Sequence, residues 1–211
     1  MKQAILIFGI TTFLISSFNK NPFALQMQAS TALQTALKLN TDTVYKTRTG
    51  KMLVLKEEHP TGASLSTITV IPKGFKNNIP KVFSDADPII KVALADLDNN
   101  GFDEIYIFTR SAGSGSDGNI IGLASYKDSA LVTIRFPQLK KEDMAKGKYS
   151  NGYMGHDTFS IANKTIIRSF PIYKENDANC CPTGGKRSIY YKLKSSAGAQ
   201  KTPKLEITGK R

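Results

Sequence analysis

The sequence predicts an all-β protein: an antiparallel β-sandwich or barrel of about eight or more strands, following an N-terminal signal segment. Three observations carry this. Short runs rich in β-branched and aromatic residues recur along the chain, clusters of Gly, Asn, Asp and Thr punctuate them, and no sustained helical periodicity intervenes.

The chain opens on "MKQAILIFGITTFLISSFNKNP", where Lys2 precedes fifteen uncharged residues, Ala4 to Phe18. That is the length of a signal-peptide core and falls short of the roughly 20 apolar residues a membrane span requires. Residues 1–25 therefore read as a signal peptide, with an uncleaved anchor as the alternative. The expected location is periplasmic or secreted, with no transmembrane span in the mature chain. No clean small-x-small site fixes the cut between Ser17 and Ala29. Residues 26–42 are expected to be a linker or short helix, with "MQASTALQTALKLN" as the helical candidate, and residues 43–211 a single β domain.

Within that domain strands are expected at Val44–Arg48, Met52–Glu57, Leu65–Ile71, Ile89–Ala95, Glu104–Arg110, Asn119–Tyr126, Ala130–Phe136, Thr158–Ala162, Lys164–Tyr173, Ser188–Lys194 and Leu205–Thr208. Turns are expected at Thr49-Gly50, Lys73-Gly74, Asn99-Asn100-Gly101, Ala162-Asn163 and Thr183-Gly184-Gly185. Alternation is clearest in "RSIYYKLK", where Ile189, Tyr191 and Leu193 are expected to face the core and Tyr190, Lys192 and Lys194 water. The stretch "LKKEDMAKGKY" is the second helical candidate.

A hydrophobic content of 40% in 211 residues is enough for a core and excludes a wholly disordered chain. The 29 Lys and Arg outnumber the 17 Asp and Glu, for a net charge of +12, and losing residues 1–25 removes Lys2 and Lys20 but no acid. The charge favours anionic partners. The basic residues are scattered, however, with no arginine-rich arm, so no nucleic-acid partner is expected. The two cysteines, Cys180 and Cys181, are adjacent, which leaves a vicinal disulfide, two thiols and intermolecular bridges all open. With only His59 and His156 elsewhere, the spacing fits no zinc site.

Two constellations carry candidate chemistry. The stretch "TRSAGSGSDGNI" holds Gly113, Gly115 and Gly118 in G-x-G-x-x-G spacing, but a strand pattern follows where a dinucleotide site needs a helix, and the first acid downstream, Asp128, comes only ten residues past the last glycine where a ribose-binding acid lies about 20 on. It reads as a Gly/Ser tip between strands. Its serines are not in a nucleophile motif, and no enzyme activity is expected. The stretch "ADLDNNGFDEIYIF" places Asp96, Asp98, Asn100 and Glu104 at positions 1, 3, 5 and 9 of a loop with Gly101 at position 6. Alternating oxygen ligands round a tight turn are how calcium is held, although Ile107 at position 12 rules out the EF-hand form. The alternative is an Asx-type turn in which these side chains satisfy their own backbone.

The succession "ADLDNNGFDEIYIFTRSAGSGSDG", "GYMGHDTF" and "RSFPIYKENDANCCPTGGKRSIYYKL" resembles the periplasmic inhibitors of i-type (invertebrate) lysozyme, over about Ala95 to Leu193. The resemblance implies an antiparallel β-sandwich, a homodimer in many members, no cofactor, and an exposed Ser-Gly-Ser-Tyr loop that enters the substrate cleft of an i-type lysozyme. It assigns partner contact to Ser111, Gly113, Ser114, Gly115, Ser116 and Asp117. Asp117 stands where the family has Tyr, and so carries a negative charge toward a cleft that holds catalytic carboxylates. The rival expectation is a calcium-dependent envelope-binding or adhesion module using Asp96, Asp98, Asn100 and Glu104.

Overall fold

The strand "EIYIFTR", Glu104–Arg110, has no wet face, and the architecture is arranged to cover it on both sides. In the computed structural model, which describes residues 42–139, 147–194 and 202–211, Glu104 to Thr109 are all buried. Twelve strands run β1 (Thr43–Lys46), β2 (Met52–Glu58), β3 (Ser66–Lys73), β4 (Lys81–Ala86), β5 (Ile89–Ala95), β6 (Glu104–Arg110), β7 (Gly118–Tyr126), β8 (Ala130–Ile134), β9 (Thr158–Ala162), β10 (Thr165–Pro171), β11 (Lys186–Lys194) and β12 (Lys204–Lys210). They form three four-stranded antiparallel sheets, β1 to β4, β5 to β8 and β9 to β12, each a meander in chain order.

Side chains on a strand alternate between faces, so β6 can feed two cores at once. Ile105 and Ile107 join Leu53, Leu55, Ile68, Val70, Phe75, Leu123 and Leu131, which fill the space between the first and second sheets. Tyr106 and Phe108 join Ile120, Ile134, Phe159, Ile166, Phe170, Ile189 and Tyr191 between the second sheet and the third. The register keeps the faces consistent. Ile105 is opposite Leu123, and Tyr106 is opposite Gly122, whose missing side chain leaves room for Ile134. The second and third sheets are also joined at an edge, where Arg135 and Lys204 form a parallel bridge.

The all-β expectation holds, and the bounds of β5, β6 and β9 are those read from the sequence. Ile189, Tyr191 and Leu193 are buried and Lys192 and Lys194 exposed, whereas Tyr190, expected to face water, is half-buried. Two features exceed the expectation: the strand β4, and a third layer of sheet. The signal segment, residues 26–41 and most of the "LKKEDMAKGKY" candidate lie outside the described residues. Among the described residues, no helix is long and apolar enough to cross a membrane.

Because Ile107 is fully buried in the first core, Ile107→Ala should cost about 2–5 kcal/mol, as large-to-small changes at packed sites do. Urea unfolding monitored by tyrosine fluorescence checks this; a cost under about 1 kcal/mol would mean that the first sheet packs loosely on β6.

Candidate functional site

The Gly/Ser stretch connects β6 to β7, so the nucleotide-binding geometry is absent: a strand follows it, as the sequence implies. Its neck is closed by hydrogen bonds. Ser111 N donates to Asp117 O (2.9 Å), and Asp117 N donates to Ser111 Oγ (2.9 Å). Inside the neck, Ser116 N donates to Gly113 O (2.9 Å), and Ser116 adopts a left-handed φ of 43°. Non-glycine residues rarely hold that conformation unless their surroundings enforce it.

The enforcing contacts come from two other segments. His156 N donates to Gly115 O (2.8 Å), and Asn179 Nδ2 donates to Ser114 O (3.1 Å). Gly155, with φ 96°, passes so close that a Cβ there would lie 1.7 Å from Gly115 O. Only glycine fits. Asn179 belongs to a loop stiffened by Asp177, which accepts hydrogen bonds from Thr183 N and Lys174 N (2.7 Å each); these amides hold its carboxyl below the usual range. That loop also carries Cys180 and Cys181, joined as a vicinal disulfide.

Beneath the loop lies a buried polar cluster. Arg168, on β10, is 1% exposed and Asp157 is 0% exposed. Arg168 Nε donates to Asp157 Oδ1 (2.5 Å), while Arg168 Nη2 donates to Asp157 Oδ2 (3.0 Å), Tyr153 Oη (2.7 Å) and Gly118 O (3.1 Å). Tyr153 Oη and Gly118 N both donate to Asp157 Oδ2, at 2.6 and 2.7 Å. The guanidinium also sits 5.0–5.8 Å from the rings of Phe136, Tyr153 and Phe159, a cation–π cage. Burial works against the Arg168 charge, but the Asp157 hydrogen bond and charge outweigh it and hold the group above its ordinary value. Burial pushes the Tyr153 phenol up, opposed by Arg168.

These contacts divide the six residues assigned to partner contact. Ala112, Gly113 and Ser114 are exposed and form the apex, whereas Ser111, Gly115, Ser116 and Asp117 are half-buried in the neck and base. The Asp117 carboxylate lies 3.4 Å from Tyr153 Oη, whose proton goes to Asp157, and lines an open cleft of about 320 Å³ with Asp87, Asn119, Gln138 and Arg168. Its charge therefore belongs to the base of the loop. Burial, and then Asp117, raise the Asp87 carboxyl above its ordinary value. Sequence reasoning missed the roles of Tyr153, Asp157 and Arg168. The signal for Arg168 is a lone charge in the apolar run "TIIRSF".

The acidic loop lies at the other end of β6. Asp96 accepts from Asn100 N (Oδ1, 3.0 Å), from Gly101 N (Oδ2, 3.0 Å) and from Arg48 Nη1 (Oδ2, 3.1 Å). Asp98 accepts from Asn100 N and Asn100 Nδ2, and Asn100 Oδ1 accepts from Phe102 N (2.8 Å). Asn100 thus serves the turn with both ends of its amide. Glu104 reaches across from the strand: its Oε2 accepts from Leu97 N (2.8 Å) and Tyr106 Oη (3.3 Å), while Oε1 is buried and accepts nothing. Burial pushes the Glu104 carboxyl up to about 8, with Asp98 and Asp96 adding to the shift and the Leu97 amide opposing it.

No family model matches the chain, and neither a curated protein nor a solved structure matches it.

Two outcomes follow from the buried groups. Asp157→Ala strands the Arg168 charge and should cost about 3–5 kcal/mol, read by urea unfolding. Glu104 gives a pH signature. Its proton is held to about pH 8 in the native state, against an ordinary glutamate value of 4.5. Its contribution to stability is thus complete below pH 4.5 and is lost as pH rises toward 8. In chelator-treated protein, Glu104→Gln should therefore gain thermal stability over the parent progressively across that window. A Tm difference independent of pH would mean that Glu104 titrates normally.

Proposed function

We propose that this chain is an exported lysozyme inhibitor whose Gly/Ser loop, Ser111 to Asp117, enters the substrate cleft of an i-type lysozyme. One observation carries the reading. The three motifs that resemble the inhibitor family, separate in sequence, converge on this loop: Gly155 and His156 of the second pack on Gly115, while Arg168 and Asn179 of the third support its base and apex. An apex of small residues on a base of buried hydrogen bonds is narrow and pre-organised, and so loses little freedom on insertion. The exposed Gly113 and Ser114 offer backbone and hydroxyl groups to a groove built to hydrogen-bond a sugar chain. The net charge of +12, which becomes +10 once Lys2 and Lys20 leave with residues 1–25, favours encounter with a cleft that holds two catalytic carboxylates.

The neck places the Asp117 carboxylate against Tyr153, so the change from the family's Tyr alters the loop's base more than its apex. The interaction is a blockade and involves no chemistry on the chain's own residues.

The test is hydrolysis of a cell-wall substrate by i-type, c-type and g-type lysozymes with and without the protein. Inhibition is expected for the i-type enzyme. Gly113 has no positive φ, and a Cβ there meets nothing within 4 Å, so Gly113→Trp should leave Tm unchanged. By filling the cleft entrance it should weaken inhibition at least about tenfold. Gly155→Ala should weaken inhibition by displacing the Gly115 carbonyl. Undiminished inhibition by Gly113→Trp would show that this loop is not the contact surface, and inhibition of none of the three enzymes would end the proposal.

A further inference from the structure

We propose that the carboxylates of Asp96, Asp98 and Glu104, at the turn between β5 and β6, bind a single calcium ion. Oxygens from these three side chains lie within 4.8 Å of one another. That spacing lets all of them reach one cation at the roughly 2.3–2.6 Å that calcium–oxygen contacts require. Hard oxygen donors of this kind suit calcium and not a soft metal.

The independent pointer is the Glu104 side chain. The residue is 0% exposed, and Oε1 accepts no hydrogen bond although it is sealed from water. A buried carboxyl oxygen without a hydrogen-bond partner is costly whether it bears the proton or the charge. Neighbouring groups do not remove the cost. Leu97 N and Tyr106 Oη both go to Oε2, and the Arg48 guanidinium is spent on Asp96 and Asp103. A divalent cation among the three acids would take the place of the Glu104 proton, satisfy Oε1 and offset the charges of Asp96 and Asp98 in one step. Asn100, expected as a ligand from its spacing, is engaged by Phe102 N and Asp98, and the proposal does not require it.

The location gives such an ion leverage. Arg48, on the turn between β1 and β2, reaches Asp96 and Asp103, and Lys164, on the turn between β9 and β10, reaches Asn99. One loop of the second sheet thus touches a turn of each of the other two. The ion would fix the corner where all three sheets meet. β6 separates this corner from the Gly/Ser loop by its seven residues, roughly 20 Å, so the proposal stands or falls separately from the inhibitor reading.

The full chain, stripped with chelator, is melted at rising calcium. At a hundredfold excess over the dissociation constant, Tm should rise by about 5–10 °C. The rise should be lost in Asp98→Ala, whose side chain bonds only within the turn, and strongly reduced in Glu104→Gln, which keeps the carbonyl acceptor for Leu97. Terbium provides a second readout. The chain has no Trp, so tyrosine excitation should sensitise terbium emission through Tyr106, calcium should quench it by competition, and Tyr106→Phe should abolish most of it. No Tm response to calcium at millimolar concentration, or a response that persists in both Asp98→Ala and Glu104→Gln, overturns the proposal.

Discussion

The double burial of β6 is the constraint on which the rest depends. A strand covered on both faces can place no polar side chain between its ends without desolvating it, and Ile105, Tyr106, Ile107 and Phe108 are all fully buried. Polar chemistry is thereby pushed to the two termini. At one end Glu104 opens the acidic turn; at the other Arg110 leads into the Gly/Ser loop, with its guanidinium donating to Asp157 O (2.9 Å). The two candidate sites are the ends of one buried rod, each held by the strand pairs on either side.

At the loop end the support is a buried polar cluster. The Arg168–Asp157 pair is a weak source of net stability, because removing both charges from water offsets most of their attraction. What it supplies is geometry. Five hydrogen bonds from Arg168, Tyr153 and Gly118 converge on Asp157 and the Gly118 carbonyl, and they leave the chain one way to enter β7. Gly118 itself is packed so closely on Asp157 and Phe159 that a Cβ would lie 2.6 Å from each. The exposed apex can therefore be built from small, intrinsically floppy residues and still point in a defined direction.

Much of this was legible in the sequence, and the gaps have physical reasons. The strands β5, β6 and β9 stand out because their β-branched and aromatic runs end at turn residues. β4, "KVFSDA", was missed because it has two large apolar residues between Pro80 and Pro88, and its strand character comes from pairing with β3. The third layer was hidden because period-two alternation reports which residues share a face and not how many faces are covered. The run "IYIF" in β6 was the available hint. The Gly/Ser loop was visible as a tip, but its division into apex and base depends on Gly155 and Asn179, distant in sequence. The four oxygen-bearing positions of the acidic turn were read from spacing alone. That Asn100 serves the backbone while Glu104 keeps an unsatisfied oxygen could be seen only with the hydrogen bonds in place.

Three meanders in chain order also determine how the molecule assembles. Every strand pair within a sheet is local in sequence, so each sheet can form early from neighbouring hairpins, and the slow event is the stacking of completed layers. A chain emerging N-terminus first finishes the first sheet before β6 exists. Leu53, Leu55, Ile68 and Val70 then have nothing to pack on, and an apolar sheet face waits in water for its lid. The same central position that makes β6 the keystone of the finished protein makes its late arrival the interval in which nascent chains are most exposed to one another.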